Sequence, residues 1–178
     1  MNQAVFLDRD GVINEVLTER VKFVNKPQDF YLLEGAGEGI YLLQQAGYKI
    51  FVVTNQGGVG LGYMKEKMLH SVHDEMQKKL RSYNAHIDAI AYCPHKPHEN
   101  CPCRKPKPQM IHDLAEAWDI DLTQSFMIGD REPDIVAGKQ AGTKTILVGA
   151  RDQDKVEADL VFEDLLEAAT YITSQIEI

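Results

Sequence analysis

The stretch AVFLDRDGV, residues 4–12, decides the fold and much of the chemistry. The apolar run over residues 4–7 ends at a polar residue and predicts a buried β-strand. Asp8 and Asp10 follow it, and Gly11 permits a sharp turn behind them. Because side chains two apart on an extended segment point the same way, both carboxylates can face one pocket. Such a pair can hold Mg²⁺, and one acid can attack a phosphorus atom while the other carries a proton. The alternative interpretation is that Asp8 and Asp10 are two solvent-exposed acids in a turn.

Outward from this stretch, short apolar runs alternate with amphipathic segments. The runs predict strands at 4–7, 49–54, 87–92, 125–128, 144–148 and 158–162, and the segments predict helices at 37–46, 64–83, 109–118, 133–141 and 163–176. The alternation is typical of an α/β fold with a doubly wound, three-layer, Rossmann-like parallel sheet. The longest helix is expected to bury one apolar stripe, namely Met68, Val72, Met76, Leu80 and Tyr83.

The domain organisation follows from the same pass along the chain. Residues 12–34 show no clear period and are expected to form a loop or a small hairpin. The spans between the polar motifs are filled by predicted elements, so no large cap domain fits between them. We therefore expect a single domain over residues 1–178, with an irregular loop that includes 93–103.

Polar residues collect at or just beyond the predicted strand ends, where ligands bind in doubly wound folds. Asp8, Thr54, Cys93 and Asp130 all occupy such positions. Asp130 can add a third carboxylate to the first two. Capping of the helix near Pro133 is the alternative role for Asp130 or for its neighbour Asp134.

The segment Thr54-Asn55-Gln56 offers a hydroxyl and two amides at a strand end. Four glycines follow it, at positions 57, 58, 60 and 62, and can expose backbone N–H groups to a phosphate. Arg104 and Lys105 open a basic cluster that suits an anionic substrate, because arginine clamps a phosphate with two donors. A polar turn and a solvated basic loop are the simpler readings of these two segments.

Composition excludes several classes of partner. The 178 residues include 19 Lys and Arg against 27 Asp and Glu, and the net charge of -8 disfavours nucleic acid as a partner. No run is long enough to span a bilayer, and the N-terminus lacks a signal-peptide pattern, so we expect a cytoplasmic protein without membrane contact. No long apolar stripe is left unassigned, which predicts a monomer.

The three cysteines all lie within residues 93–103, which argues against a disulfide framework. Cys93, His95, Cys101 and Cys103 make a Cys₃His set, which is typical of a closed, structural zinc site. His98 is a competing ligand, and reduced thiols without metal are the alternative. The other histidines, His70, His73, His86 and His112, are expected on the surface.

In order and spacing, these motifs resemble the haloacid dehalogenase-like phosphatases. The resemblance rests on D-x-D-G at the first strand, a threonine at the second strand end, a lysine, and G-D-x-x-x-D, and it covers residues 5–142. It implies that Asp8 is a nucleophile that forms an aspartyl-phosphate and that Asp10 carries the proton. Thr54 and Lys105 would hold the phosphoryl group. Asp130 would bind Mg²⁺ together with Asp8 and the backbone carbonyl of Asp10.

The segment CPHKPHENCPCRKPKPQM, residues 93–110, is similar to the zinc loop of two groups in that family, which act on heptose bisphosphate and on histidinol phosphate. The first group fits better, and implies a small phosphorylated metabolite as substrate. It also implies a set of substrate-binding residues: Asn55, Gln56, Gly57, Arg104 and Arg131. Histidinol phosphate stays open, because Glu15, Glu19 and Glu132 could receive its amine. Two departures, a longer 14–22 segment and Gln109 in place of a glycine, concern specificity.

A 3′-phosphatase for nucleic acid ends and a signalling receiver domain are the remaining alternatives. The acidic net charge counts against the first. The order of the motifs and the intervening cysteine loop count against the second.

Overall fold

The computed structural model describes residues 1–149 and 151–175, in which six strands alternate with five α-helices. The strands are β1 (Ala4–Leu7), β2 (Lys49–Asn55), β3 (Ala89–Cys93), β4 (Phe126–Gly129), β5 (Lys144–Val148) and β6 (Leu160–Phe162). The helices are α1 (Ala36–Gln45), α2 (Glu66–Arg81), α3 (Gln109–Trp118), α4 (Glu132–Ala141) and α5 (Leu165–Ser174). Every strand is predicted to within two residues at each end. The predicted end of the last helix, at residue 176, lies outside the described residues.

All six strands form one parallel sheet in the order β3-β2-β1-β4-β5-β6. Apolar side chains of α1, α2 and α5 fill the core on one face, and those of α3 and α4 fill the core on the other. The strands β1 and β2 are buried on both faces, which explains why their sequences are continuous apolar runs rather than alternating ones. The α/β doubly wound, three-layer prediction is confirmed.

The direction of winding reverses between β1 and β4. The chain runs outward from β1 through β2 to β3, and then returns to place β4 on the other side of β1. Their carboxyl ends lie side by side, and the backbone N–H of Asp8 donates to the carbonyl of Ile128 at 3.0 Å. This is the switch point at which doubly wound folds bind ligands.

The predicted stripe of α2 is wrong at both ends. Met68 and Tyr83 are 40% and 41% exposed, whereas Leu69 and His73 are buried. The inward face runs through positions 69, 72, 73, 76 and 80. Met68 lies one residue, about 100°, away from Leu69, and this turns it to solvent.

The segments between the elements form loops. A single 3₁₀ turn at Pro27–Asp29 and isolated bridges at Asn14 order the segment between β1 and α1. In the described part of the chain no second sheet or helical cap covers the edge of the sheet, as predicted. None of the helices described has the length and apolar character that a membrane crossing requires.

Candidate active site

A buried ion network links the acidic strand ends to the basic loop. The Lys105 ammonium donates to Asp8 Oδ1 at 2.9 Å, to Asp134 Oδ1 at 2.5 Å, and to the carbonyl of Val53 at 2.8 Å. The side chains of Lys105 and Asp134 are each 3% exposed. The structure thus brings three residues together that lie 97 and 29 positions apart in the chain. Asp8 and Lys105, both candidate site residues from the sequence, are therefore in direct contact.

The protonation of this network reflects its burial. Desolvation, with the negative charge of Asp134 added, raises the pKa of Asp8 well above its ordinary value, and Lys105 opposes that rise. The two carboxylates more than offset the burial of Lys105, so the pKa of its ammonium is also raised. A second cation beside Asp8 would favour the ionised carboxylate further.

The strongest indication of a metal site is a carboxylate oxygen of Asp130. Its Oδ1 atom is buried and has no hydrogen-bond partner in the residues described, whereas Oδ2 lies 3.5 Å from the Arg151 guanidinium. Burial raises the pKa of Asp130 to about 6, and the neighbouring Asp134 adds to that rise. Asp8, Asp130 and Asp134 each offer an oxygen, and these atoms lie within 4.8 Å of one another. Hard oxygen donors of this kind fit Mg²⁺.

Gly11 is required for this arrangement. It has a φ of +84°, and a Cβ atom there would lie 2.0 Å from Asp130 Oδ2. Any other side chain at this position would displace the Asp130 carboxylate and strain the backbone. The turn that follows the two aspartates therefore also makes room for the third.

Asp10 is held by donors on both of its oxygens. Arg9 donates to Oδ1 through Nη2 at 2.8 Å and through Nε at 3.2 Å, and Asn14 donates to the same oxygen at 3.0 Å. Gln56 donates to Oδ2 at 3.2 Å. Although burial opposes it, these donors lower the pKa of Asp10. The Asp10 side chain is 30% exposed, so it remains accessible to solvent.

Asn55 and Gln56, at and just after the end of β2, form hydrogen bonds to other site residues that the sequence did not predict. The Asn55 side chain accepts from the Lys105 backbone N–H at 3.0 Å and donates to its carbonyl at 3.1 Å. Gln56 also donates to Thr54 Oγ1 at 2.9 Å, and Thr54 is fully buried. Asn55 and Gln56 thus hold Lys105 and Asp10 in place.

The remaining candidate substrate residues are Gly57, Arg104 and Arg131, which lie on the segments that follow β2, the cysteine cluster and β4. A Cβ on Gly57 would lie 3.2 Å from Arg104 Nη1, so that loop and the cysteine loop are in close contact. Arg104 donates to the carbonyl of His95 at 3.4 Å. The Arg131 side chain is 49% exposed, and its Nε lies 3.6 Å from Asp152.

Asp134 and Asp152 secure the start of α4. Asp134 Oδ2 accepts from the Arg131 backbone N–H at 3.1 Å, which is the capping role considered from the sequence. Asp152 accepts from the Glu132 N–H at 2.9 Å. Asp134 therefore serves both the helix and Lys105.

The prediction that His73 lies on the surface is wrong. His73 is 5% exposed, and its Nε2 lies 3.2 Å from Arg9 Nη1, whose side chain is fully buried. A guanidinium only donates, so Nε2 must accept, and the ring is neutral with its proton on Nδ1. Burial, together with the Arg9 charge, lowers the pKa of His73 to about 3. Sequence reasoning missed both residues, although the position of Arg9 between two aspartates was a signal.

The predicted zinc ligands form one cluster. Cys93 Sγ lies 2.9 Å from Cys103 Sγ and 3.4 Å from both Cys101 Sγ and His95 Nδ1. His95 Nδ1 lies 3.2 Å from Cys103 Sγ, and no disulfide joins the cysteines. Donors about 2.0–2.3 Å from a tetrahedral zinc lie roughly 3.5 Å apart, so the spacing and the N/S donor set fit zinc. His98 is not part of the cluster.

This geometry defines a class of protein. A lysine and a cluster of three carboxylates that fits a divalent cation meet at the switch point of a doubly wound sheet, which is an arrangement suited to phosphoryl transfer. Comparison with known proteins supports the same class. A family model described as "HAD-hyrolase-like" matches residues 102–168.

Curated relatives cover nearly the whole chain. The D-glycero-β-D-manno-heptose-1,7-bisphosphate 7-phosphatase of Haemophilus ducreyi is 36% identical and covers 96% of this chain and 98% of its own. The Helicobacter pylori protein of the same name is 40% identical and covers 83% of each chain. A crystal structure of D,D-heptose 1,7-bisphosphate phosphatase from B. bronchiseptica, complexed with magnesium and phosphate, matches with a TM-score of 0.89 at 34% identity over 98% of this chain and 99% of that chain.

The chain therefore belongs to the haloacid dehalogenase-like phosphatases, which are phosphoric monoester hydrolases. Within that class, the relatives named above place it beside the heptose-1,7-bisphosphate 7-phosphatases.

Proposed function

We propose that this enzyme hydrolyses the 7-phosphate of D-glycero-D-manno-heptose 1,7-bisphosphate, with Mg²⁺, through an aspartyl-phosphate on Asp8. The observation that carries the proposal is the meeting of Asp8, Lys105 and Asp130 at the switch point. The names of its relatives support the substrate. Histidinol phosphate is the alternative substrate.

The chemistry takes two displacements. In the first, an oxygen of Asp8 forms a bond to phosphorus while the bond from phosphorus to the sugar oxygen breaks, and Asp10 gives that oxygen a proton. In the second, a water oxygen forms a bond to phosphorus while the bond from phosphorus to the Asp8 oxygen breaks, and inorganic phosphate leaves. Asp10 takes a proton from that water, which replaces the proton that it gave in the first displacement. The donors around Asp10 favour its ionised form, which is the form that the second displacement needs.

The charges of the site serve the phosphoryl group. The Lys105 ammonium lies beside Asp8 and can neutralise charge that develops on the phosphoryl oxygens. Thr54 lies at the end of β2 and contributes its hydroxyl and backbone. Asp8, Asp130 and the backbone carbonyl of Asp10 would hold Mg²⁺. When bound, the ion supplies electrostatic stabilisation of the phosphoryl oxygens and favours the ionised nucleophile.

Substrate selection would depend on the residues around the reacting centre, which we call the rim: Gly57, Arg104 and Arg131. Arg104 and Arg131 would bind the phosphate that does not react, and Gly57 would bring its backbone close to the sugar. Asn55 and Gln56 act mainly through the groups that they hold, because both amides are engaged within the protein.

The cysteine loop shapes this rim. Zinc on Cys93, His95, Cys101 and Cys103 would leave no open position, so its role is structural. Cys103 immediately precedes Arg104 and Lys105, and fixing the loop fixes both cations. We also propose that the chain acts as one domain and as a cytoplasmic monomer without a nucleic-acid or membrane partner.

Phosphate release tests the proposal. The purified enzyme with Mg²⁺ is given both anomers of the heptose bisphosphate, fructose 1,6-bisphosphate, histidinol phosphate and a 3′-phosphorylated oligonucleotide. We expect the highest kcat/KM with a heptose bisphosphate, and release of the 7-phosphate rather than the 1-phosphate. A preference for histidinol phosphate would reject the substrate and retain the chemistry, whereas no release from any substrate would reject both.

A further inference from the structure

We propose that Arg9 and His73 form a buried positioning pair that holds the Asp10 carboxylate for proton transfer. The inference rests on the proposed function, in which Asp10 exchanges protons with the substrate oxygen and with water. Neither residue touches substrate in this assignment. Both act through Asp10.

Among the residues that the structure describes, the Arg9 side chain has hydrogen-bond partners only in Asp10 and His73. Its side chain is fully buried, and each nitrogen is engaged: Nη2 and Nε with Asp10 Oδ1, and Nη1 with His73 Nε2. A buried guanidinium is stable only when its donors are met, so its orientation is set by these two side chains together. Of these two partners, the Asp10 side chain is 30% exposed to solvent, and His73 is a buried residue of α2.

His73 supplies the fixed end of this chain of contacts. It belongs to α2, a 16-residue helix whose neighbouring positions Leu69, Val72 and Met76 are fully buried. The part of the helix that carries the imidazole is therefore packed into the core, and the imidazole is itself 5% exposed. His73 Nε2 accepts a hydrogen bond from Arg9 Nη1. Arg9 in turn donates through Nε and Nη2 to Oδ1 of Asp10.

The donors are divided unequally between the two oxygens of Asp10. Oδ1 accepts from Arg9 and from Asn14, whereas the sole donor to Oδ2 in the described part of the chain is Gln56, at 3.2 Å. Oδ2 is thus the oxygen that retains capacity for a further partner. The pair pins Oδ1 and leaves Oδ2 to exchange the proton.

The test compares substitutions on one helix. His73→Leu removes the acceptor, and His73→Gln restores an amide oxygen near the same place. His70→Leu is the matched control, because His70 is an exposed histidine of the same helix that contacts Tyr92. Arg9→Lys keeps the charge but loses the two-donor contact, and it serves if His73→Leu does not fold.

Two substrates separate positioning from stability. The heptose bisphosphate has an alkoxide leaving group that needs a proton, whereas the nitrophenolate of p-nitrophenyl phosphate departs without one. We expect His73→Leu and Arg9→Lys to lose about tenfold to hundredfold in kcat/KM on the heptose bisphosphate. This parameter reports on the first displacement and not on the hydrolysis of the phosphoaspartate, which both substrates share. The loss on p-nitrophenyl phosphate should be several-fold smaller, and His73→Gln should recover most of the activity.

Equal losses of kcat/KM on both substrates, or no loss in either, would show that the pair only stabilises the fold, and would overturn the inference. A leucine at position 70 should behave as wild type. If the wild-type enzyme releases no phosphate from the alkyl substrate, the proposed function fails and the inference fails with it.

Discussion

Replacement of Lys105 by methionine perturbs the fold and the chemistry through the same atom. The substitution keeps the aliphatic volume and removes an ammonium that donates to Asp8, to Asp134 and to a backbone carbonyl. Both carboxylates then lie buried, close together, and without their shared cation. The two like charges also repel each other, which is visible in the effect of Asp134 on the pKa of Asp8.

The magnitude follows from the burial of these groups. Loss of one partner from a buried ion pair costs about 3–5 kcal/mol, because the remaining charge is uncompensated. For a chain of 178 residues, each kcal/mol shifts Tm by about 2–4 °C, so Tm should fall by roughly 6–20 °C. Loss of a cation from the developing charge should also lower kcat by about a hundredfold or more.

Urea denaturation in Mg²⁺-free buffer at pH 7 measures the stability, and phosphate release measures kcat. Two variants sharpen the result. Lys78→Met, at an exposed lysine of α2, should match wild type. Asp134→Asn combined with Lys105→Met should recover part of the stability, because one of the two unpaired carboxylates is gone. A Lys105→Met variant within about 1 kcal/mol of wild type would refute the reasoning.

Three further predictions concern other parts of the site. Asp8→Asn should abolish turnover while the circular dichroism spectrum is kept, and residual turnover near the wild-type rate would exclude Asp8 as nucleophile. Cys101→Ser should lose zinc, measured by mass spectrometry of the metal, and should raise KM about tenfold or more because the loop before Arg104 loosens; normal zinc content would reject the ligand set. Between pH 6.5 and about 3 the unfolded chain protonates His73 while the folded chain keeps it neutral. The free energy of unfolding should therefore fall as the pH falls through this window, by up to about 1.4 kcal/mol per pH unit. Urea titrations should find this slope weaker in His73→Leu, and an unchanged slope would contradict the assignment.

The regular elements could be predicted because their signals are local. The β1 and β2 segments are apolar runs of the length that a strand buried on both faces requires, and polar residues or glycines end them. The face of α2 was harder to predict. Met68 and Leu69 are both apolar and adjacent, and only the packing of the helix on the sheet decides which of them turns inward.

The site residues, too, include some that local sequence signals predict and others whose role depends on tertiary packing. Cys93, His95, Cys101 and Cys103 were predicted as a set because metal ligands impose close spacing and a narrow choice of side chains. The role of Asn55 was not foreseen. Its side chain closes on the backbone of a residue 50 positions away, and no sequence pattern encodes a contact of that kind.

The sequence by itself determined the doubly wound fold, the acids at the ends of β1 and β4, and the cysteine loop, because each depends on residue type and on short-range spacing. Only the tertiary structure decided which partner each charge would have. Lys105 lies between Asp8 and Asp134, and Arg9 lies between Asp10 and His73, in contacts that span 29 to 97 positions except for the neighbours Arg9 and Asp10. The physical reason is that a buried charge takes whatever partner the packing of the sheet and its helices brings within reach.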